Sequence, residues 1–507
     1  MNGTVGRAAS RSAAAPATGR RSLDLAPATT RLARALAARG VGAGDRVALI
    51  VAPSPAAVAA LAALGRLDAV AVPLGTRSTP RELAAAIATI RPRLVIHDAA
   101  HAAALAEAAA AGPAAGAAAG AGPAGIDVVA LEALAPDGLA TLGAPETVWA
   151  VHGFEAPGDV ALRTSGTTGT AKTALLRRTA LEASARAWED ALPPAEAWLL
   201  PLGLAHVAGI GVVVRAALAG VPLVGVDGSD AAAILAALEG AGGRAIPTHL
   251  PLVPTQLARL LDVAGDRHAP ATLRAVLLGG GPIPPALVLR ALERGWPVVP
   301  TYGLTEAGSG VTALPTAEAA GAPASAGRPL PGVVVTIDAP GPDGAGEILV
   351  ATPARFDCYL DDPVATAASL DAAGRLRTGD VGRLDAAGRL EVLDRRTDLV
   401  VSGGENVAPA EVEAALLEHP AVADAGVVGR PDPAWGSVPV AAVVLRPGAP
   451  DPGDDGLRAH CRERLASYKV PASFVRLAAL PRTATGKLRR AELRTALLAM
   501  LPATDAR

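Results

Sequence analysis

The chain has 507 residues, 46 Lys and Arg against 48 Asp and Glu, and a formal net charge of −2, a length that predicts two to four domains. This balanced charge offers no basic surface field, so neither nucleic acid nor an anionic membrane is expected as a partner. Alanine supplies much of the 51% hydrophobic content. The long uncharged run 47–65 contains two prolines and predicts a strand, a turn and a buried helix rather than a membrane span.

Cysteine usage and the amino terminus bear on the compartment. Cys358 and Cys461 are the two cysteines of the sequence, and neither has a partner at metal-ligand spacing, which fits a reducing, cytoplasmic setting. Residues 1–21 lack the continuous apolar stretch of a secretory signal. We expect residues 1–30 to form a disordered tail; the alternative is a targeting segment, since residues 1–21 carry Arg and Ser without acidic residues, as transit peptides do.

From residue 46 onward, apolar runs alternate with helical patterns, which predicts a parallel sheet with helices on its faces. The predicted elements are strands at 47–51, 69–73 and 94–97 and helices at 55–64 and 80–90. Residues 101–125 are almost entirely Ala, Gly and Pro and predict a weak helix or a loose surface segment. The α/β alternation then returns at 222–226, 257–261, 273–278, 284–293 and 297–300.

Two changes of pattern divide the rest of the chain. Short strands at 333–337 and 347–351 predict a β-rich subdomain, and helices at 409–418, 456–466 and 490–498 alternate with strands at 425–428 and 438–445. The sequence therefore predicts an α/β fold class. A large multi-layer domain with a β-rich subdomain covers 31–393, a hinge covers 394–398, and a small mobile α+β domain covers 399–507.

Lysine is rare in this chain, with three positions, Lys172, Lys469 and Lys487, among the 46 basic residues. Arginine replaces lysine readily on a solvated surface but not where a compact ammonium must fit a narrow site. Each lysine is therefore a candidate functional residue.

The densest local signal is a run of hydroxyl and glycine residues that ends near a lysine. Its candidate phosphate-binding residues are Thr164, Ser165, Gly166, Thr167, Thr168, Gly169 and Lys172. Backbone N–H groups and hydroxyls in such a run can wrap a polyphosphate while the lysine adds a cation. The alternatives are a plain Ser/Thr/Gly linker and the P-loop of NTPases. The P-loop fails at Ala171, where it needs glycine, and residues 163–165 are expected to form a loop rather than the end of a strand.

This run resembles the phosphate loop of the adenylate-forming enzymes, the superfamily of acyl-CoA synthetases, luciferases and peptide-synthetase adenylation domains. Further segments match the order of motifs in that superfamily, at 201–206, 279–284, 301–306, 378–380, 394–398, 402–406 and 481–487. Through 206–210, 277–284 and 393–406 the chain is most similar to the ortho-succinylbenzoate CoA ligases of menaquinone synthesis. The resemblance implies an AMP-forming ligase that uses ATP, Mg²⁺, CoA and a carboxylic acid.

The resemblance also implies catalytic roles. Lys487 matches the lysine that promotes adenylation, Thr305 the hydroxyl that contacts the α-phosphate, and Glu306 the carboxylate that holds Mg²⁺. The chemistry is consistent with this, because joining two anions requires charge neutralisation, and one carboxylate with phosphate oxygens suffices for magnesium. The alternatives are a solvated lysine and a helix-capping glutamate.

For the nucleoside, the resemblance places Tyr302 and Gly303 near adenine, where three glycines let the base approach the backbone. These glycines are Gly279, Gly280 and Gly281. Asp380 matches the aspartate that accepts hydrogen bonds from the ribose hydroxyls, and Arg395 the arginine that reaches ribose or phosphate. A core tyrosine and a turn-ending aspartate are the alternatives.

For the acid and the thiol, His206 is implied beside the acyl pocket or the CoA tunnel, with core packing as its alternative. Three small residues, Ser402, Gly403 and Gly404, would let a pantetheine arm pass, and otherwise form an ordinary β-turn. Lys469 matches a segment regarded as structural or CoA-facing, so it is given no catalytic role.

The sequence also departs from the family pattern. Ala171 and Thr173 replace the usual proline and glycine, and Gly310 lies where succinylbenzoate ligases often carry glutamine. Two other functions therefore stay open, namely transfer of the acyl group to a carrier protein and nucleotide binding without catalysis.

Overall fold

The structure is a computed structural model that describes residues 22–110, 126–134, 148–164, 171–241, 245–281, 283–342, 344–395, 400–482 and 488–501. In chain order the strands are β1 Leu23–Asp24, β2 Arg46–Ile50, β3 Val70–Pro73, β4 Leu94–His97, β5 Asp127–Ala130, β6 Val148–His152, β7 Val160–Thr164, β8 Lys172–Leu176, β9 Trp198–Leu200, β10 Leu223–Val226, β11 His249–Leu252, β12 Ala275–Leu278, β13 Val298–Tyr302, β14 Thr312–Ala313, β15 Arg328–Pro329, β16 Val334–Asp338, β17 Gly346–Ala351, β18 Cys358–Tyr359, β19 Leu376–Leu384, β20 Leu390–Arg395, β21 Val400–Ser402, β22 Glu405–Val407, β23 Val422–Asp432, β24 Gly436–Leu445 and β25 Ser473–Arg476.

The α-helices of the described residues follow the same numbering. They are α1 Ala26–Ala38, α2 Pro55–Arg66, α3 Pro80–Ile90, α4 Ala102–Ala110, α5 Leu131–Leu134, α6 Arg178–Ala191, α7 Val207–Ala219, α8 Ala231–Leu238, α9 Pro254–Ala264, α10 Pro285–Glu293, α11 Thr316–Ala319, α12 Pro363–Ala368, α13 Pro409–Leu417, α14 Gly453–Arg462 and α15 Arg490–Met500.

Two large sheets build the amino-terminal part. One has the strand order β1-β6-β10-β9-β11-β12-β13-β14-β15 and the other β18-β8-β7-β3-β2-β4-β5. The predicted parallel pairing is present, because β2 pairs in parallel with β3 and β4, and β12 with β11 and β13. The predicted α/β fold class is confirmed.

A helical layer lies between the two sheets. One apolar cluster joins Leu49 of the second sheet, Leu200 of the first and Leu61 of α2. Helix α2 is buried from Ala57 to Gly65, and its many alanines let it fit between the sheets. It begins where the side chain of Ser54 accepts a hydrogen bond from the Ala57 N–H at 3.1 Å, a typical N-cap. Alanine-rich helices of this kind account for the apolar composition.

An antiparallel sheet, β16-β17-β19-β20, forms the predicted β-rich subdomain. The carboxy-terminal part has its own sheet, in which β21, β22, β23, β24 and β25 associate, with separate apolar clusters that include Val412 and Leu493. No helix of the described residues has both the length and the hydropathy needed to cross a bilayer.

The structure changes several expectations about loops. The predicted tail of 1–30 extends too far, because β1 pairs with β6 and α1 starts at Ala26; residues 1–21 lie outside the described residues. Helix α4 occupies the start of the 101–125 segment, whose residues 111–125 also lie outside. Arg163 and Thr164 belong to β7 rather than to a loop. In the predicted hinge 394–398, Asp394 and Arg395 end β20, and 396–398 are not described.

Candidate active site

The candidate adenine segment follows β12 directly. A Cβ on Gly279 would lie 2.3 Å from Thr301 Oγ1, and Gly280 has a φ of +78°, a conformation that glycine adopts without strain. Because β12 and β13 are adjacent parallel strands, their carboxyl ends meet at one edge of the sheet. Residues 279–281 therefore lie beside Tyr302.

Tyr302 and Asp380 form a buried pair. The Tyr302 hydroxyl donates to Asp380 Oδ2 at 2.7 Å, and each residue is 6% exposed. The strand ladder sets Asp380 directly opposite Arg395, so the two candidate ribose residues are neighbours. The Tyr302 ring belongs to the large apolar cluster, as the core alternative required, while its hydroxyl orients the carboxylate.

A tight turn after β13 carries the catalytic candidates. Gly303 has no room for a side chain, since a Cβ would lie 1.5 Å from the Ser309 carbonyl oxygen. Thr305 and Glu306 then start a short 3₁₀ turn. This close approach sets Thr305 and Glu306 directly after the end of β13.

Glu306 is held by a residue that the sequence did not single out as a site residue. The Tyr359 hydroxyl donates to Glu306 Oε1 at 2.7 Å, and Lys172 Nζ lies 4.9 Å from the centroid of the Tyr359 ring. Burial and the nearby Glu306 charge raise the pKa of Tyr359, so its hydroxyl stays protonated and donates. Glu306 Oε2 has no partner among the described residues and is available to a ligand.

The described residues contain no group of three metal-ligating side chains. Magnesium is commonly held by one or two carboxylates together with substrate phosphates. A single carboxylate with one oxygen fixed by Tyr359 and the other free therefore fits a magnesium ion that arrives with a nucleotide.

The candidate phosphate loop joins two antiparallel strands. Thr164 at the end of β7 pairs with Lys172 at the start of β8, whereas a P-loop leads from a strand into a helix. The rejection of the P-loop is thus supported, although Thr164 lies in a strand. The other predicted loop residues, Ser165, Gly166, Thr167, Thr168 and Gly169, lie outside the described residues.

His206 lies at the amino end of α7 and contacts the carboxy-terminal part. Its Nε2 is 3.2 Å from Glu405 Oε2, with side-chain exposures of 45% for His206 and 17% for Glu405. Arg77 also contacts Glu405. Burial by itself would raise the pKa of Glu405, but the His206 hydrogen bond and the Arg77 charge outweigh it and lower the pKa to about 2.

The small-residue hairpin between β21 and β22 lies against the large domain. Gly403 and Gly404 have φ values of +60° and +87°, and the Gly403 N–H donates to the Trp435 carbonyl oxygen at 2.8 Å. A Cβ on Gly404 would lie 2.8 Å from Val253, at the start of α9. Ser402 is buried. The hairpin is therefore a close-packed turn, with glycines where side chains would collide.

The other two candidate lysines are Lys469 and Lys487. Lys469 Nζ donates to Glu411 at 2.8 Å and also contacts Glu82 on α3, so it links the two parts of the chain, as a structural role predicts. Burial by itself would lower the pKa of Lys469, but the charges of Glu411 and Glu82, together with the other nearby groups, raise it. Lys487 lies outside the described residues.

Three contributors were missed by the sequence analysis, namely Tyr359, Arg77 and Glu405. Tyr359 carried one signal, since it is one of only three tyrosines. Arg77 carried none, because arginine is abundant here. Glu405 lies inside the matched segment 402–406, but only the docking of the hairpin shows its partners.

Comparisons with known proteins identify the family to which the chain belongs. The family model described as AMP-binding enzyme matches residues 23–360, and that described as AMP-binding enzyme C-terminal domain matches 411–487. A 2-succinylbenzoate–CoA ligase of Geobacillus kaustophilus is 39% identical over 357 residues, which are 68% of this chain and 69% of that protein. The chain belongs to the AMP-binding enzyme family. It is an adenylate-forming acyl-CoA ligase, an AMP-forming enzyme.

Two solved structures of o-succinylbenzoate CoA synthetase from Bacillus subtilis are also similar. A double mutant bound with its product analogue OSB-NCoA aligns with a TM-score of 0.81 at 32% identity, over 93% of this chain and 92% of that one. The complex with the acyl-adenylate intermediate OSB-AMP aligns with a TM-score of 0.64 at 32% identity, over 95% and 93%. At equal identity, the present arrangement is closer to the product-analogue complex.

Proposed function

We propose that this enzyme activates 2-succinylbenzoate, or a closely related aryl acid, as its acyl-adenylate and transfers the acyl group to CoA. The observation that carries the proposal is the convergence of Tyr302, Asp380 and Glu306 at one edge of the first sheet, with the hairpin 402–404 docked on the large domain. These two regions suit two substrates, a nucleotide at the first and a thiol at the second.

In the first half-reaction, a carboxylate oxygen attacks the α-phosphorus of ATP and pyrophosphate leaves. We assign the ribose hydroxyls to Asp380 and Arg395, adenine to residues 279–281 with Tyr302 and Gly303, and the leaving phosphates to 164–169 with Lys172. Thr305 donates to the α-phosphate, and Lys487 neutralises the charge that develops between the two anions. Glu306 would hold Mg²⁺, which would supply positive charge at the phosphates.

In the second half-reaction, the CoA sulfur attacks the acyl carbon, AMP leaves, and the thiol proton is lost. We assign the passage of the pantetheine arm to Ser402, Gly403 and Gly404, next to His206. One site cannot hold the pyrophosphate-side and thiol-side groups around the same carbonyl at once. A rotation about 394–398 therefore exchanges Lys487 for the hairpin. The higher similarity to the product-analogue complex supports assigning the present arrangement to the thiol step.

The choice of acid rests on the relatives, which are named as 2-succinylbenzoate–CoA ligases. A role in menaquinone synthesis would follow from that substrate. Gly310 stands where a glutamine is often found, and a Cβ there would lie 2.4 Å from Trp188 Nε1, so the Trp188 ring occupies the space that a side chain would need.

The test measures release of AMP and pyrophosphate with ATP, Mg²⁺ and a panel of succinylbenzoate, aryl and fatty acids, with and without CoA. We expect 2-succinylbenzoate to give the highest kcat/KM and AMP release to require CoA. Turnover with a phosphopantetheinylated carrier but not with CoA would instead select carrier loading. Bound ATP without AMP formation on any acid would select a non-catalytic role.

Lys487→Ala separates the two half-reactions. This variant should lose pyrophosphate exchange while still forming thioester from supplied acyl-adenylate and CoA. Equal loss of both would contradict the rotation. Arg489→Ala, which removes an exposed charge two residues away, is the matched control.

A further inference from the structure

Asp380, the proposed ribose acceptor, lies in a bulge of strand β19. The ladder that pairs β17 with β19 shifts register between Glu347 and Leu349, so that residues 378–380 of β19 oppose Ile348 alone. A bulge of this kind interrupts the regular backbone pairing and changes the direction of a side chain. The conformation of the bulge 378–380 therefore decides where the Asp380 carboxylate lies.

Two backbone N–H groups of this bulge donate to side chains. The Gly379 N–H donates to Glu347 Oε1 at 3.2 Å, and the Asp380 N–H donates to Thr378 Oγ1 at 3.1 Å. The Thr378 hydroxyl in turn donates to the Ile348 carbonyl oxygen at 2.8 Å. Backbone donors away from water need an acceptor, so the shape of the bulge depends on these two side chains.

Glu347 supplies the charged acceptor in this bulge. Its side chain is 9% exposed, and its Oε2 contacts Arg377, whose guanidinium also lies 3.7 Å from Asp338 Oδ2. A carboxylate tolerates burial when a guanidinium is paired with it, and it accepts a stronger hydrogen bond from a backbone N–H than a neutral group does. The Glu347 carboxylate can therefore hold the Gly379 N–H firmly.

The Asp380 side chain has a separate support. The Tyr302 hydroxyl donates to Asp380 Oδ2 at 2.7 Å, and the β20 ladder sets Asp380 opposite Arg395. Tyr302 thus holds the carboxylate itself, whereas Glu347 holds the backbone one residue before it. The two supports act on different parts of the same ribose-binding residue, so each can be tested by itself.

We propose that Glu347 is a positioning residue for nucleotide binding, which fixes the bulge 378–380 so that Asp380 can accept hydrogen bonds from the ribose hydroxyls. The inference rests on the proposed function, in which Asp380 binds the ribose, and adds a residue that acts through another. Because Glu347 acts only through this carboxylate, its contribution to binding should depend on whether the nucleotide carries ribose hydroxyls.

The experiment compares ATP with 2′,3′-dideoxy-ATP, which lacks both ribose hydroxyls, by calorimetric titration of the full chain with Mg²⁺ present. Wild type should bind ATP more tightly by about 10- to 150-fold, the range expected for a hydrogen bond to a charged group. Glu347→Ala should reduce this ratio to about 3-fold or less, through weaker binding of ATP, while the affinity for the dideoxy nucleotide changes little.

Two conservative variants separate the length of the side chain from its charge. Glu347→Gln keeps an oxygen within reach of the Gly379 N–H and should restore most of the ratio. Glu347→Asp keeps the buried charge beside Arg377 but withdraws the acceptor from Gly379, so its ratio should fall as in Glu347→Ala. This variant also decides the matter if Glu347→Ala does not fold.

The control variant is Glu391→Gln, which removes a part-exposed carboxylate paired with Arg383 in the same sheet and should leave the ratio unchanged. In an Asp380→Ala background, Glu347→Ala should change the ATP affinity by less than about 2-fold, because both substitutions remove the same interaction with the ribose.

The contrary results are distinct. A wild-type ratio in Glu347→Ala and Glu347→Asp, or equal losses of both nucleotides with a lowered melting temperature, would overturn the inference while the ribose assignment to Asp380 stands. Equal affinities of wild type for the two nucleotides would reject both. A ratio that depends on Glu347, without AMP formation on any acid, would reject the proposed function and keep the inference.

Discussion

The nucleotide side and the thiol side of the candidate site are held by different forces. Tyr302 and Asp380 are buried within paired strands, where a hydrogen bond is shielded from water. On the thiol side, ion pairs add to the packing of the hairpin 402–404 and join it to the large domain, through Glu405 with Arg77 and His206 and nearby through Lys469 with Glu82.

This difference explains how the nucleotide side of the site can stay fixed while the hairpin 402–404 moves away. Undoing a strand ladder exposes apolar core, whereas an ion pair between two rigid parts can separate and have each charge hydrated. A domain that must rotate during each turnover is better held by the second kind of contact. The variants below test this contrast, from the largest expected effect to the smallest.

Asp380→Ala should give the largest loss. It removes the charged acceptor for the ribose together with the carboxylate that accepts from the Tyr302 hydroxyl, so ATP affinity should fall about 100-fold or more. Calorimetric titration with ATP measures this. Tyr302→Phe, which leaves the carboxylate but frees it from its hydroxyl support, is the graded control and should cost roughly 5-fold. ATP affinity unchanged in Asp380→Ala would remove the ribose assignment.

Glu405→Gln should affect the thiol side alone. Loss of the negative charge weakens the contacts to Arg77 and His206, and we expect thioester formation from acyl-adenylate and CoA to slow about 10-fold. Pyrophosphate exchange should remain within a factor of about 2. Single-turnover measurements of each half-reaction separate the two. If both half-reactions slow equally, the hairpin is not specific to the second half-reaction.

Tyr359→Phe should have a moderate effect on the nucleotide side. The variant keeps the ring beside Lys172 but removes the hydroxyl that orients Glu306, so the Mg²⁺ concentration at half-maximal adenylation should rise about 3- to 10-fold. Adenylation rates across a magnesium titration measure it. Arg375→Gln, which removes a part-exposed charge paired with Asp371 just before β19, serves as control. An unchanged midpoint would mean that Tyr359 does not orient the metal ligand.

The smallest effect concerns pH. Because the pKa of Glu405 falls to about 2 from 4.5, its contribution to stability is complete above about pH 4.5 and is lost as pH falls toward 2. Urea unfolding at pH 5.5 and pH 3 should show wild type losing about 1–3 kcal/mol more than Glu405→Gln. Equal losses in both proteins would mean that the contact contributes nothing in the folded state.

Prediction and structure agree best where apolar residues recur at regular spacing along the sequence. Helix α3 was predicted at 80–90 and lies at Pro80–Ile90, because Thr79 and Glu82 form a capping box that marks its start and its apolar residues recur on one face. The end of β7 was missed, since Thr164 and the residues after it look like a loop until the partner strand β8 is known.

The residues of the candidate site fall into the same two groups, those indicated by the sequence and those found only in the fold. The glycine and threonine motifs gave Gly279, Tyr302, Glu306 and Asp380, because close backbone approach and metal binding require particular residue types at fixed spacing. Tyr359 and Arg77 could not be obtained like this, since their roles depend on partners more than fifty residues away in the chain.

The sequence by itself determined the α/β framework, the motif order and the nucleotide chemistry, because periodicity, glycine requirements and rare lysines are local properties. Only the tertiary structure decided that Tyr359 holds Glu306 and that Glu405 lies beside both Arg77 and His206. Pairing and burial are relations between distant segments, and one arginine among more than forty, such as Arg77, becomes distinctive only when its partner in the fold is known.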